Sequence, residues 1–171
     1  MLKNNILLLC LSGKYARKIG EKLANKLEMF FVDVNDILEY NLVNNSMLQN
    51  FGIEYYKKEQ RKVVLSISQY ENSLVTGNMN LFFENDVIEK YLPNFTTIYL
   101  KFEKESLKKI EIDFELKNTH IAFEEEDKIC SHVADIIANL TEDETFNLKI
   151  LEDELLKYVE SENGKHWKFV C

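Results

Sequence analysis

Arginine is nearly absent from this chain. Of the 21 basic residues among 171, Arg17 and Arg61 are the only arginines. The planar guanidinium fork is the preferred bidentate partner of phosphate and carboxylate, so its scarcity weakens any phosphoryl-transfer reading. Positive charge is also outweighed overall. A net charge of -8 argues against a general nucleic-acid or anionic-membrane surface. The three cysteines, Cys10, Cys130 and Cys171, are far apart and odd in number, with neither metal-ligand spacing nor a disulfide framework. His120, His132 and His166 share no spacing, so no metal site is expected. Internal repeats and low-complexity linkers are lacking. Met1 to Cys10 is too short for a membrane span and reads better as a first strand; a cytoplasmic location is expected.

What is present suits one domain over residues 1–171. The length allows a proper core, and 46% hydrophobic content is incompatible with a disordered chain. Ile6 to Cys10 is a continuous apolar run, as in a parallel strand covered on both faces. Ile19, Leu23 and Leu27 recur at helical spacing and predict a helix from about Ala16 to Lys26. Phe30 to Val32, Ser73 to Thr76 and Thr96 to Leu100 read as further strands, with a last one over Ala134 to Ile137. Helices are expected over Asp36 to Val43, Ile53 to Ser68 and Asn85 to Tyr91, the last closed off by Pro93. Thr141 followed by Glu144 reads as a capping box opening a helix that carries Phe146, Leu151 and Leu155. The charged stretch from Glu103 to Asp127 has no clear period. Alternating strands and helices give an α/β class: a three-layer α/β/α sandwich on a parallel sheet of about five strands.

The pattern strand, Gly-Lys turn, amphipathic helix, strand, acid is the layout of a phosphate-binding loop. Such a loop needs glycines so that backbone N–H groups can wrap phosphates, a Lys for the outer phosphates and a Ser or Thr for magnesium. Here Gly13-Lys14 is followed by Tyr15, and the earlier glycine position is Leu8. Two of the four defining residues are missing.

Five landmarks carry a resemblance: Ile6 to Glu39, with Ile19-Gly20-Glu21-Lys22-Leu23-Ala24 and Phe31-Val32-Asp33-Val34-Asn35; Glu59 and its helix; Val75-Thr76-Gly77; Ile98-Tyr99-Leu100; and Val133-Ala134-Asp135. On these the chain resembles the shikimate kinase family of nucleoside-monophosphate-kinase-like proteins over most of its length. The resemblance implies a phosphate-loop kinase fold with ATP and magnesium as cofactors. A gap-free match puts the family's last loop glycine on Tyr15, its loop lysine on Ala16 and its hydroxyl residues on Arg17 and Lys18. Making Lys14 the loop lysine instead requires a two-residue insertion before Ile19.

The same resemblance implies a substrate side. The family's magnesium-proximal acid falls on Asp33 and its substrate-binding acid on Asn35. Its clamping Arg falls on Tyr56, with Lys57 adjacent and Glu59 retained. Its Gly-Gly-Gly turn becomes Gly77-Asn78-Met79, and its lid, near residues 103–127, is reduced and has no Arg. A further Arg position matches Glu126.

The residues themselves leave alternatives open. Ser12, Gly13, Lys14, Arg17 and Lys18 could hold a phosphate or small anion at a helix start, or the cations could simply be solvated. Asp33 could contact a ligand or cap the next helix. Tyr40, Phe51, Tyr55, Tyr56 and Tyr91 are expected in the core, with Tyr55 and Tyr56 able to refill an emptied pocket. Trp167 and Phe169 could dock back on the domain or meet a partner. The expectation is therefore a shikimate-kinase-like scaffold without catalysis, binding an unknown protein partner or a small anion and needing no metal. The alternative is an ATP-dependent small-molecule kinase using Lys14 and Asp33 with ATP and magnesium.

Overall fold

A computed structural model describes residues 4–77, 79–83, 92–110 and 120–161. The helix expected over 85–91 and the tail with Trp167 and Phe169 lie outside the described residues, as do Asn78 and Tyr91. The elements run β1 (Ile6–Cys10), α1 (Gly13–Lys26), β2 (Phe30–Asp33), α2 (Val34–Tyr40), α3 (Asn45–Phe51), α4 (Ile53–Ile67), β3 (Ser73–Thr76), β4 (Thr96–Lys101), α5 (Lys104–Ile110), α6 (His120–Val133), β5 (Ile136–Asn139) and α7 (Glu144–Ser161). The five strands form one parallel sheet in the order β2-β3-β1-β4-β5.

β1 lies in the middle, which explains its unbroken apolar run. Ile6, Leu8 and Cys10 face the layer of α1 and α7, whereas Leu7 and Leu9 face the layer of α2, α4 and α6. Water reaches neither face, so no polar residue alternates with these. β5 is an edge strand and does alternate, burying Ile136 and Ala138 and exposing Ile137 and Asn139.

Several boundaries differ from the sequence reading, each for a local reason. α1 begins at Gly13, not Ala16, because Ser12 caps it by accepting from the Tyr15 N–H. The helix expected from Asp36 to Val43 is α2, which Asp33 caps early and which ends at Tyr40, and a further helix that was not expected, α3, starts where Asn44 accepts from the Ser46 and Met47 N–H groups. Asp143 caps α7, taking the Thr145 and Phe146 N–H groups, while Thr141 takes the Asp143 N–H. The last strand sits two residues later than expected, and the unreadable stretch holds α5 and the start of α6. Tyr40, Phe51 and Tyr55 are not in the core but exposed; Tyr56 is half-buried against it.

Gly20 fixes how closely α1 lies on the sheet. A Cβ there would sit 2.8 Å from Thr76 Cγ2 and 3.1 Å from Phe31 Cε2. Thr76 cannot rotate away without losing its hydrogen bond to Asp33. Gly20→Ala is therefore expected to destabilise by about 1–3 kcal/mol through overpacking, despite a helix-propensity gain of about 1 kcal/mol. Urea unfolding measures this, and a net stabilisation would contradict the packing described.

Candidate functional site

In open parallel sheets, ligands bind beyond the carboxyl ends of the strands, where neighbouring connections leave on opposite faces. β1 is such a strand. α1 leaves it on one face, while the segment after the adjacent β3, through Met79 and Phe82, packs on the other. Only Leu11 and Ser12 separate β1 from α1. Ser12 is fully buried. Its Oγ accepts from the Tyr15 N–H at 3.1 Å, its carbonyl accepts from the Ala16 N–H at 3.0 Å, and its own N–H points to Cys10 Sγ at 3.4 Å. The amides of residues 12, 15 and 16 are thus directed at the chain's own atoms.

Tyr15 joins three connections. Its ring stands edge-on to Phe102, just after β4, with centroids 4.9 Å apart. Its Oη accepts from Asn147 Nδ2 on α7 at 2.7 Å. Asn147 is fully buried and fully used: Nδ2 also donates to the Thr141 carbonyl, and Oδ1 accepts from the Thr141 N–H and hydroxyl. Burial pushes the Tyr15 phenol up to about 12, with partial relief from the Asn147 hydrogen bond.

The cations beside this turn have carboxylate partners. Arg17 Nη1 lies 2.6 Å from Asp36 Oδ1 and 4.0 Å from Asp33 Oδ1. Lys18 and Lys22 both pair with Glu144 of α7, and Lys26 pairs with Glu152. These lysines hold the Glu144 carboxyl below the usual range, Lys18 foremost. Lys14 is exposed in the first turn of α1, beside Gly13, where an added Cβ would meet nothing within 4 Å.

Asp33 ends β2 almost fully buried. Oδ1 caps α2 by accepting from the Asn35 N–H at 2.9 Å, and Oδ2 accepts from the Thr76 hydroxyl at 2.9 Å. The Asn35 side chain is exposed. Tyr56 packs among the residues of the α2–α4 layer, its Oη accepting from Gln60 Nε2 at 3.3 Å. Lys57 is exposed, and Glu59 pairs with Lys62 at 2.6 Å. At Gly77 a Cβ would sit 3.0 Å from Val34 Cβ and 3.2 Å from Phe82 Cζ, so side chains already fill that space.

Sequence reasoning missed two features. Asn147 shares the buried stripe of α7 with Leu151 and Leu155; an Asn at i, i+4 from buried leucines was the available signal. Asp127 accepts from Tyr99 Oη at 2.7 Å and Lys101 Nζ at 3.0 Å, tying α6 to β4. Burial and that carboxylate both push the Tyr99 phenol up. Among the described residues no three His, Cys, Asp or Glu side chains are grouped to hold a metal, and no helix is long and apolar enough to cross a membrane.

Two outcomes follow from this geometry. Asp33→Ala removes a helix cap and orphans a buried hydroxyl, so it is expected to cost roughly 2–3 kcal/mol in urea unfolding; no loss would mean that the carboxylate is not structural. Tyr15 links stability to alkaline pH. Its phenol ionises near 10.0 when unfolded and near 12 when folded, so its contribution is whole below pH 10 and is lost as pH rises toward 12. Between pH 9 and 11 the wild type should lose about 1 kcal/mol more than Tyr15→Phe. Equal losses would place Tyr15 in water.

Comparison with known proteins fits this framework. The family model described as shikimate kinase matches residues 12–153. The structure of shikimate kinase from Aquifex aeolicus superposes with a TM-score of 0.75 at 20% identity, covering 94% of this chain and 99% of that one. Shikimate kinase from Acinetobacter baumannii in complex with shikimate gives 0.74 at 14% identity, covering 96% and 97%. Dephospho-CoA kinase from Campylobacter jejuni gives 0.61 at 14% identity, covering 95% and 100%. No curated protein matches. With its five-stranded parallel sheet and a family match over most of its length, the chain belongs to the shikimate kinase family.

Proposed function

We propose that this family member has given up phosphoryl transfer and acts as a binding or regulatory module. The observation that carries the reading is the β1–α1 turn. A phosphate is gripped by backbone N–H groups aimed outward from a glycine-rich loop; here the Tyr15 and Ala16 amides are spent on Ser12. Tyr15 and Asn147 bridge the connections that would flank a nucleotide.

The cation balance supports the same reading. Phosphoryl transfer depends on positive charge aimed at the transferring group. Arg17 and Lys18, which occupy the family's hydroxyl positions in the gap-free match, engage Asp36 and Glu144 instead. The residues do not suit magnesium: Asp33 is committed to Thr76 and the Asn35 amide, with a guanidinium beside it. A competing reading draws on the open space at Gly13 next to the exposed Lys14, and takes the chain for an ATP-dependent small-molecule kinase with a distorted loop.

Thermal unfolding with millimolar magnesium-ATP separates the two. The module reading predicts an unchanged melting temperature for both the wild type and Lys14→Ala. A rise in the wild type that Lys14→Ala abolishes would overturn it in favour of the kinase.

A further inference from the structure

Of the four hydrogen bonds that Asn147 makes, three go to Thr141. Nδ2 donates to its carbonyl at 2.7 Å, and Oδ1 accepts from its N–H at 2.7 Å and from its hydroxyl at 3.1 Å. Only the fourth, from Nδ2 to Tyr15 Oη, involves the tyrosine. Thr141 is itself tied to the start of α7, because its hydroxyl takes the Asp143 N–H while Asp143 caps the helix. The carboxamide is therefore oriented without help from Tyr15. Its last N–H points into an otherwise apolar layer. Asn147, Leu151 and Leu155 are the residues that α7 buries, and Phe102, edge-on to the Tyr15 ring, is 4% exposed.

Apolar cavities left by a deleted side chain stay dry and take small apolar rings. This corner differs from such a cavity in one respect. Without the Tyr15 side chain, a buried donor would be left aimed into the space with no partner, which favours any ligand able to pair it. The space then suits one chemistry best: a single aromatic ring bearing an oxygen that accepts from Nδ2, with its edge-to-face contact supplied by Phe102. In the wild type the chain provides that group itself. Tethered to the first turn of α1, the Tyr15 phenol is at an effective concentration that dilute free ligand does not reach. Tyr15 is 7% exposed and keeps the pocket shut.

We infer that Tyr15 is the built-in occupant of a phenol-binding pocket whose polar end is Asn147 and whose aromatic wall is Phe102. The inference is independent of whether the chain transfers phosphate. Tyr15→Ala vacates the pocket, and its thermal unfolding is followed by circular dichroism with millimolar phenol or toluene, two rings of nearly the same shape. Phenol is expected to raise the melting temperature of Tyr15→Ala saturably. It should bind the variant roughly tenfold or more tightly than toluene, since only phenol satisfies Asn147. If the variant is unfolded alone, phenol should restore its helical signal by the same linkage. The wild type should not respond, because its pocket is filled. No response of Tyr15→Ala to phenol, toluene binding as well as phenol, or an equal rise in the wild type would each overturn the inference.

Discussion

The cap that Ser12 places on α1 is the contact from which the rest of the site follows. By accepting from the Tyr15 and Ala16 amides, Ser12 starts the helix two residues after β1 ends. Once the helix starts there, position 15 sits in the first turn and its ring is delivered into the crevice between β4 and α7. Phe102 and Asn147 then hold it. Such a buried polar contact is stable only when every member is satisfied, and the four hydrogen bonds of Asn147 meet that condition. Arg17, one turn further from the cap, faces Asp33 and Asp36.

Scaffold and site answer to different physics. The sheet depends on apolar strands and on the close seat of Gly20 against Thr76 and Phe31, and the fold superposes on a structural relative at 20% identity. Phosphate chemistry depends on outward amides and uncommitted cations. In this chain the lysine stripe of α1 binds α1 to α7 through Glu144 and Glu152. Exposed pairs of this kind contribute little stability individually; their consequence is that the positive charge is internally matched.

Much of the fold was legible in the sequence because burial on both faces leaves an unmistakable run, as at Ile6 to Cys10, and because α1 keeps strict helical spacing. Helix starts were less legible. Ser12, Asp33, Asn44 and Asp143 each cap by a side-chain hydrogen bond, and polar residues near each boundary offered rival caps, as Thr141 did for α7. The aromatic residues misled for another reason. Tyr40, Phe51 and Tyr55 have core composition, but α3 leaves the sheet and packs on α4, so nothing in the described chain covers them. At the site, local residues announced Asp33 and the Gly-Lys turn. Asn147, distant from Tyr15 in sequence, becomes its partner only through the fold.

The central claim, that the β1–α1 turn is closed on itself, is tested most directly by amide NMR of residues 12–16 during titration with magnesium-ATP and with pyrophosphate. The account predicts slow deuterium exchange at the Tyr15 and Ala16 amides and no saturable shift anywhere in the turn. A saturable displacement of the Gly13, Lys14 and Tyr15 amides by either ligand would contradict it.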